Sequence, residues 1–265
     1  MNAGAVLRAA TLAALLAAAG AAEAGRSCEM RPPRAEAVER SLTLAEHTAA
    51  QLDASGAQVA VVARIGQNLS EYGLRYSHLG LVYRDGTRDG APWRVVHKLN
   101  ACGSARAAVY RQGLGEFFLD DLYEYEAAIV VLSPEAQALL LPALRDNARV
   151  AQLNTPAYNM LAYPWSTQYQ QSNQWALETL AMTQDPAATT RERAQAWLKL
   201  HGYEPTTLRI SAFKRLGAQM GAANIAFDDH PNAKRFSDRI ETVTVDSVFR
   251  WLDRSAMGGP VQVIR

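Results

Sequence analysis

His78 and His97 are the residues of this 265-residue chain best suited to moving a proton. They stand in Tyr76-Ser77-His78-Leu79-Gly80 and Val95-Val96-His97-Lys98-Leu99, two runs rich in β-branched and apolar residues. Imidazole changes charge near neutral pH, so two of them on neighbouring strands can form a base and its orienter. One takes a proton from a nucleophile while the other fixes its tautomer through the second ring nitrogen. On spacing alone the pair reads equally as two half-buried histidines, each satisfied by a hydrogen bond, and both readings stay open here.

The other chemically capable residues have plainer accounts. His47 lies among polar neighbours on a helix, and His201 falls where a basic residue suits a helix C-terminus. His230 belongs to Asp228-Asp229-His230-Pro231, where adjacent side chains cannot converge on one ion, so a turn is expected. Ser211-Ala212-Phe213-Lys214 fits Ser-x-x-Lys, but no Lys-Thr-Gly comes after it. Arg111, Glu116, Asp120 and Asp121 read as a solvated polar loop. The aromatic stretch Tyr158, Tyr163, Trp165, Tyr169 either flanks a cleft or packs over the sheet. There is no P-loop, dinucleotide fingerprint, His-Glu-x-x-His or Gly-x-Ser-x-Gly. Two histidines alone make an incomplete metal site, and no cofactor is expected.

The elements that would position the histidines are set by hydrophobic periodicity. Arg34 to Leu52 carries an apolar stripe at helical spacing, and Gly56 suits its stop. Gln58–Ile65, Tyr76–Tyr83 and Trp93–Leu99 read as strands. The last two are joined by a short link containing Asp85-Gly86 and form an antiparallel hairpin. Ala127–Leu132 is a strand buried on both faces. Ser133-Pro134-Glu135 opens a helix to about Asn147. A loop over Tyr158–Gln171 precedes a helix over Ser172–Met182. The remainder reads as helices over Thr189–Leu200 and Thr207–Gln219, a short strand over Glu241–Val245, and a helix over Asp246–Arg254 capped by Asp246. This order of elements is α+β.

The N-terminus points to export. Arg8 is followed by an apolar run from Ala9 to Ala22 and by Ala22-Glu23-Ala24, a small-x-small cleavage pattern. The run is too short and too alanine-rich for a bilayer span. Residues 1–24 are therefore expected to leave as a signal peptide, with Gly25 first in a periplasmic domain over 25–265 and no transmembrane segment remaining. The formal net charge of +1 and scattered basic residues give no electrostatic case for nucleic acid. In an oxidising compartment Cys28 and Cys102 are expected to pair, although Cys102 also lies five residues beyond His97 and reads alternatively as a nucleophile.

The segment from Tyr76 to Leu99 resembles the paired-strand motif of lecithin retinol acyltransferase-like and related permuted papain-like proteins, in His78-Leu79-Gly80-Leu81-Val82-Tyr83 and Val95-Val96-His97-Lys98-Leu99. The resemblance implies His78 as general base, His97 as its orienter, and a nucleophile at a later helix N-terminus in the pattern Asn-Cys-x-x-aromatic. Gln171-Ser172-Asn173-Gln174-Trp175 puts Ser172 at the cysteine position. A serine hydroxyl is less acidic than a thiol and must lose its proton during attack. Ser172 therefore reads as a nucleophile served by His78, or as a helix cap in an inactive site. The chain also resembles the bacterial family catalogued as domain of unknown function 2145. That likeness rests on Ala63–Ser70, Arg75–Gly80, Trp93–Gly103, Tyr110–Gly113, Phe117–Asp121, Tyr158-Asn159 and Tyr169–Glu178.

These readings together imply an α+β protein with a permuted papain-like core over about 34–183, an antiparallel sheet packed on helices, and a helical C-terminal extension over about 184–265. The implied activity is a periplasmic amide or ester hydrolase, or an acyltransferase, acting on a small molecule or peptide of the cell envelope. The alternative is a non-catalytic papain-like domain that binds a wall or lipid fragment.

Overall fold

The computed structural model describes residues 32–88 and 90–265. The expected signal peptide and Cys28 lie outside the described residues, and so does the pairing of Cys28 with Cys102. Among the described residues no helix is long and apolar enough to cross a membrane.

A six-stranded antiparallel sheet organises the molecule, in the order β4-β3-β2-β1-β5-β8. Its members are β1 (Val59–Ile65), β2 (His78–Arg84), β3 (Trp93–Asn100), β4 (Ala107–Gly113), β5 (Glu124–Val131) and β8 (Gln262–Ile264). β1 is buried at all seven positions because it lies inside the sheet with both faces covered. Such a strand has no polar face, so its sequence is a continuous apolar run rather than an alternation.

One face carries α1 (Ala35–Ala54) and α2 (Leu114–Phe118), which bring Leu44, Leu52, Phe117 and Phe118 against Val62, Val82, Val95 and Ile129. The opposite face packs Val61, Leu79, Leu81, Val96 and Val130 against α3 (Pro134–Arg145), α5 (Ser172–Gln184), α6 (Arg191–Leu200) and α9 (Val245–Arg254). A short α4 (Asn147–Ala151) comes after α3. Every residue of α5 from Ser172 to Thr183 is buried, so this helix runs through the core and shows no polar stripe.

Three expectations for the chain need correction. The stretch around Arg111 is not a loop but edge strand β4, paired along its length with β3. Its alternation is weak because an edge strand rests only partly on the core. The tail is helical only in part. Thr206–Arg209 (β6) pairs with Arg239–Thr242 (β7), and the helix expected from Thr207 begins only at Ala212 (α7, Ala212–Gly221), after the N-cap Ser211. A short α8 (Asn232–Arg235) precedes β7. Thr206-Thr207-Leu208 is β-favouring, and Ser211 ends the extended stretch by capping the first turn of α7. α9 is capped by Thr244, whose hydroxyl accepts from Ser247 N at 3.1 Å, not by Asp246. Trp251 and Leu252 of α9 share the main core, and β8 pairs with β5, so residues beyond 184 complete the central body.

Candidate functional site

The site is built from β3, whose two faces do different work. Side chains alternate along a strand, so His97 points toward Phe117 while its neighbour Lys98 points to the α5 side. Both are fully buried, with 0 % of their surface exposed.

On the first face, His78 and His97 come together as expected: His78 Nε2 lies 2.9 Å from His97 Nδ1. The sequence left open whether the two histidines are independent or a pair, and they are a pair. Gly80 makes the approach possible. A Cβ at Gly80 would stand 2.4 Å from Val95 Cγ1 and 3.3 Å from His97 Cβ, so any side chain there displaces β3. The two rings also lie 5.9 Å and 5.2 Å from the ring of Phe117.

The third member of the chain is Gln112 on β4, which sequence reasoning missed along with its strand. Gln112 is paired with Val95 and so stands diagonally to His97, and its Oε1 lies 2.7 Å from His97 Nε2. Burial first, and the Arg64 guanidinium second, push His97 down to about 4, against the opposing pull of Gln112 and Asp120. His97 is therefore neutral at pH 7 and carries one ring proton. With Gln112 presenting a carbonyl oxygen, that proton sits on Nε2. His97 Nδ1 then accepts from the Nε2–H of His78, and Nδ1 becomes the basic nitrogen of His78.

On the second face, Lys98 Nζ donates to Asn154 Oδ1 at 2.9 Å and to Gln170 Oε1 at 2.8 Å. Burial first and Arg191 second lower Lys98 to about 7, with Glu178 opposing. Gln170 Nε2 passes the connection to Glu178 Oε2 at 2.6 Å, and Glu178 accepts from Arg191 Nε at 2.7 Å and Gln195 Nε2 at 2.7 Å. This buried network fastens the 153–171 loop to β3, α5 and α6, and thereby fixes where α5 begins. The chemistry-bearing signal in the sequence is a lysine within an apolar strand and a glutamate within an apolar helix, neither tolerated inside unless paired.

α5 begins at Ser172. Gln171, not Ser172, holds the N-cap position, so the capping reading of Ser172 is corrected. Asn173 Oδ1 accepts from Leu79 N at 3.0 Å, tying the helix start to the residue beside His78. Ser172, Asn173 and His78 line one cavity of about 280 Å³ with Tyr76, Ser77 and Tyr158. Burial pushes the hydroxyl of Tyr158 upward in pKa, with Ser172 opposing that shift. The cavity continues between Tyr72, Leu161, Leu208, Ile210, Ile225 and Phe227, an apolar chamber walled by the second sheet.

The remaining candidates fall outside this cavity or lose their chemistry. Cys102 sits in the exposed turn after β3. Ser211 spends its hydroxyl on Lys214 N, so Ser-x-x-Lys is a helix cap. Arg111 bonds to Leu144 O and Asn147, and Asp120 pairs with Arg64, so the expected solvated cluster is divided between two contacts. His230 is buried between Asp229 and the carbonyl of Glu241, and His201 stacks on Trp197. Among the described residues no group of three or more His, Cys, Asp or Glu is placed to hold a metal.

The model of the bacterial family described as uncharacterized protein conserved in bacteria, domain of unknown function 2145, matches residues 51–252. The chain belongs to that family. Neither the curated proteins nor the solved structures contain a match.

The His97 environment has a measurable consequence. Its ordinary value is 6.5 and its folded value about 4, so between these the unfolded chain holds a proton that the folded chain refuses. The stabilisation is complete above about pH 6.5 and is lost as pH falls toward 4, by about 3 kcal/mol in all. Urea unfolding between about pH 7 and pH 4.5 should show this fall. In His97→Gln the slope should be flatter by about that amount, and an unchanged slope refutes a neutral buried His97.

Proposed function

We propose that this protein is an exported acyl-transferring enzyme, a hydrolase of amides or esters or an acyltransferase of the cell envelope, built on a permuted papain-like core. The observation that carries the reading is the 2.9 Å bond between His78 Nε2 and His97 Nδ1 at the wall of the cavity that also holds Ser172. In this reading Ser172 Oγ attacks the acyl carbonyl while its proton passes to His78 Nδ1. The new bond joins Oγ to the acyl carbon. The bond to the leaving amine or alcohol breaks, and that group departs with the proton returned by His78. Water, or an acceptor alcohol or amine, then releases the acyl group by the same route in reverse. In this reading the first-turn amides of α5 that the cap leaves open take up the negative charge on the carbonyl oxygen. In the periplasm Cys28 and Cys102 would close a disulfide near the processed N-terminus.

A second reading is a non-catalytic domain that binds a wall or lipid fragment in this cavity, and the apolar chamber beyond Ser172 favours it. A fluorophosphonate probe decides between them. The enzyme reading expects covalent labelling that disappears in Ser172→Ala and in His78→Ala, both variants remaining folded. Labelling by a cysteine-directed probe that requires His78 would move the nucleophile to Cys102. If no labelling depends on His78, covalent catalysis is refuted and the binding domain stands.

A further inference from the structure

α7 presents its apolar side to solvent. Phe213 is 89 % exposed and Leu216, three residues on and so on the same face, 58 % exposed. The opposite side, through Lys214 and Ala218, walls the cavity that holds His78 and Ser172. An amphipathic helix normally buries its apolar face, so this inverted orientation leaves a surface without a partner among the described residues. Phe236 at the end of α8 is 74 % exposed, and α8 is joined to α7 by the bond from Arg215 Nη1 to Arg235 O.

The charge around this apolar surface selects its partner. From Arg209 to Arg239 the chain carries Arg209, Lys214, Arg215, Lys234, Arg235 and Arg239 against Asp228, Asp229 and Asp238. Asp229 is buried against His230, and Asp238 faces Arg209 at 4.0 Å. Lys214 and Lys234 pair with Glu71 and Glu241. Arg235 and Arg239 are exposed and have no carboxylate partner among the described residues. Exposed aromatic and aliphatic side chains flanked by arginines match a bilayer surface with anionic headgroups, where the apolar groups enter the acyl boundary and the guanidiniums meet phosphate.

We propose that α7, with Phe236 of the adjoining segment, docks this protein on an anionic bilayer surface. The proposal goes beyond the acyl-transfer reading and stands without it, because it uses neither Ser172 nor the histidines.

Vesicle flotation tests it, using phosphatidylglycerol mixed equally with phosphatidylcholine and, separately, phosphatidylcholine alone. The wild-type protein is expected to float with the anionic vesicles at low salt, much less with the neutral ones, and less again as salt screens the arginines. Phe213→Ser/Leu216→Ser removes two exposed side chains and should keep the wild-type thermal midpoint. Its partitioning onto anionic vesicles should fall at least about 10-fold, the two proteins sharing the same N-terminus. Equal flotation of variant and wild type, or no flotation of wild type, overturns the proposal. A wild-type dimer that becomes monomeric in the variant also overturns it, assigning the face to a second copy of the chain. Fluorophosphonate labelling without vesicles should be the same in both proteins, so failure of the catalytic reading leaves this result unaffected.

Discussion

Gln112→Leu is expected to slow fluorophosphonate labelling of Ser172 by on the order of 100-fold or more while the protein remains folded. Gln112 does not reach the cavity, so the effect is one of positioning. Its Oε1 accepts from His97 Nε2 and thereby dictates that His97 Nδ1 is an acceptor toward His78. With leucine there, His97 is free to carry its proton on Nδ1 instead. His78 Nε2 then becomes the acceptor and its proton moves to Nδ1, the nitrogen that must be bare to receive the serine proton. The base is present but in the wrong tautomer. Gln112→Glu keeps an acceptor in place and is expected to retain most of the rate, with the pH profile of labelling displaced because a carboxylate favours protonated His97. Labelling of the leucine variant at the wild-type rate across that profile would show that Gln112 does not set the tautomer.

Arg191→Met is expected to cost about 3–5 kcal/mol of folding stability, the range for stripping one partner from a buried ion pair. Glu178 is fully buried and takes two bonds from the guanidinium, from Nε at 2.7 Å and from Nη2 at 3.1 Å. Without Arg191 its carboxylate retains only the amides of Gln170 and Gln195. Loss on that scale consumes much of a typical domain's total stability. The double variant Arg191→Met/Glu178→Gln removes the stranded charge as well and should recover a substantial part of the loss, giving a coupling of at least about 1 kcal/mol in a double-mutant cycle. Denaturant unfolding of the four proteins measures it. A single variant within about 1 kcal/mol of wild type would mean that the pair does not anchor the loop.

The arrangement ties the two halves of the site to one strand. His97 on one face of β3 holds the proton-moving chain, and Lys98 on the other holds the loop that delivers Ser172. A displacement of β3 therefore moves His78 and Ser172 together, which is how residues distant in sequence stay in register.

The hairpin that carries the two histidines was legible in the sequence, because β-rich runs and a short turn at Asp85-Gly86 are local signals, but the bond between the rings was not. The helix start at Ser172, the cap at Ser133 and the family to which the chain belongs were legible too. Gln112 was not, because β4 is an edge strand whose pattern of exposure has no clear period. Nor was the way Lys98, Gln170, Glu178 and Arg191 combine, since partners far apart in sequence meet only when the chain closes around them. Two of the C-terminal strands were hidden for a related reason: β6 and β8 are four and three residues long and owe their form to partners across the chain rather than to propensity. Local periodicity reports which face of an element is buried. Which elements share that burial, and which charges are neutralised within it, depends on contacts that exist only once the chain has folded.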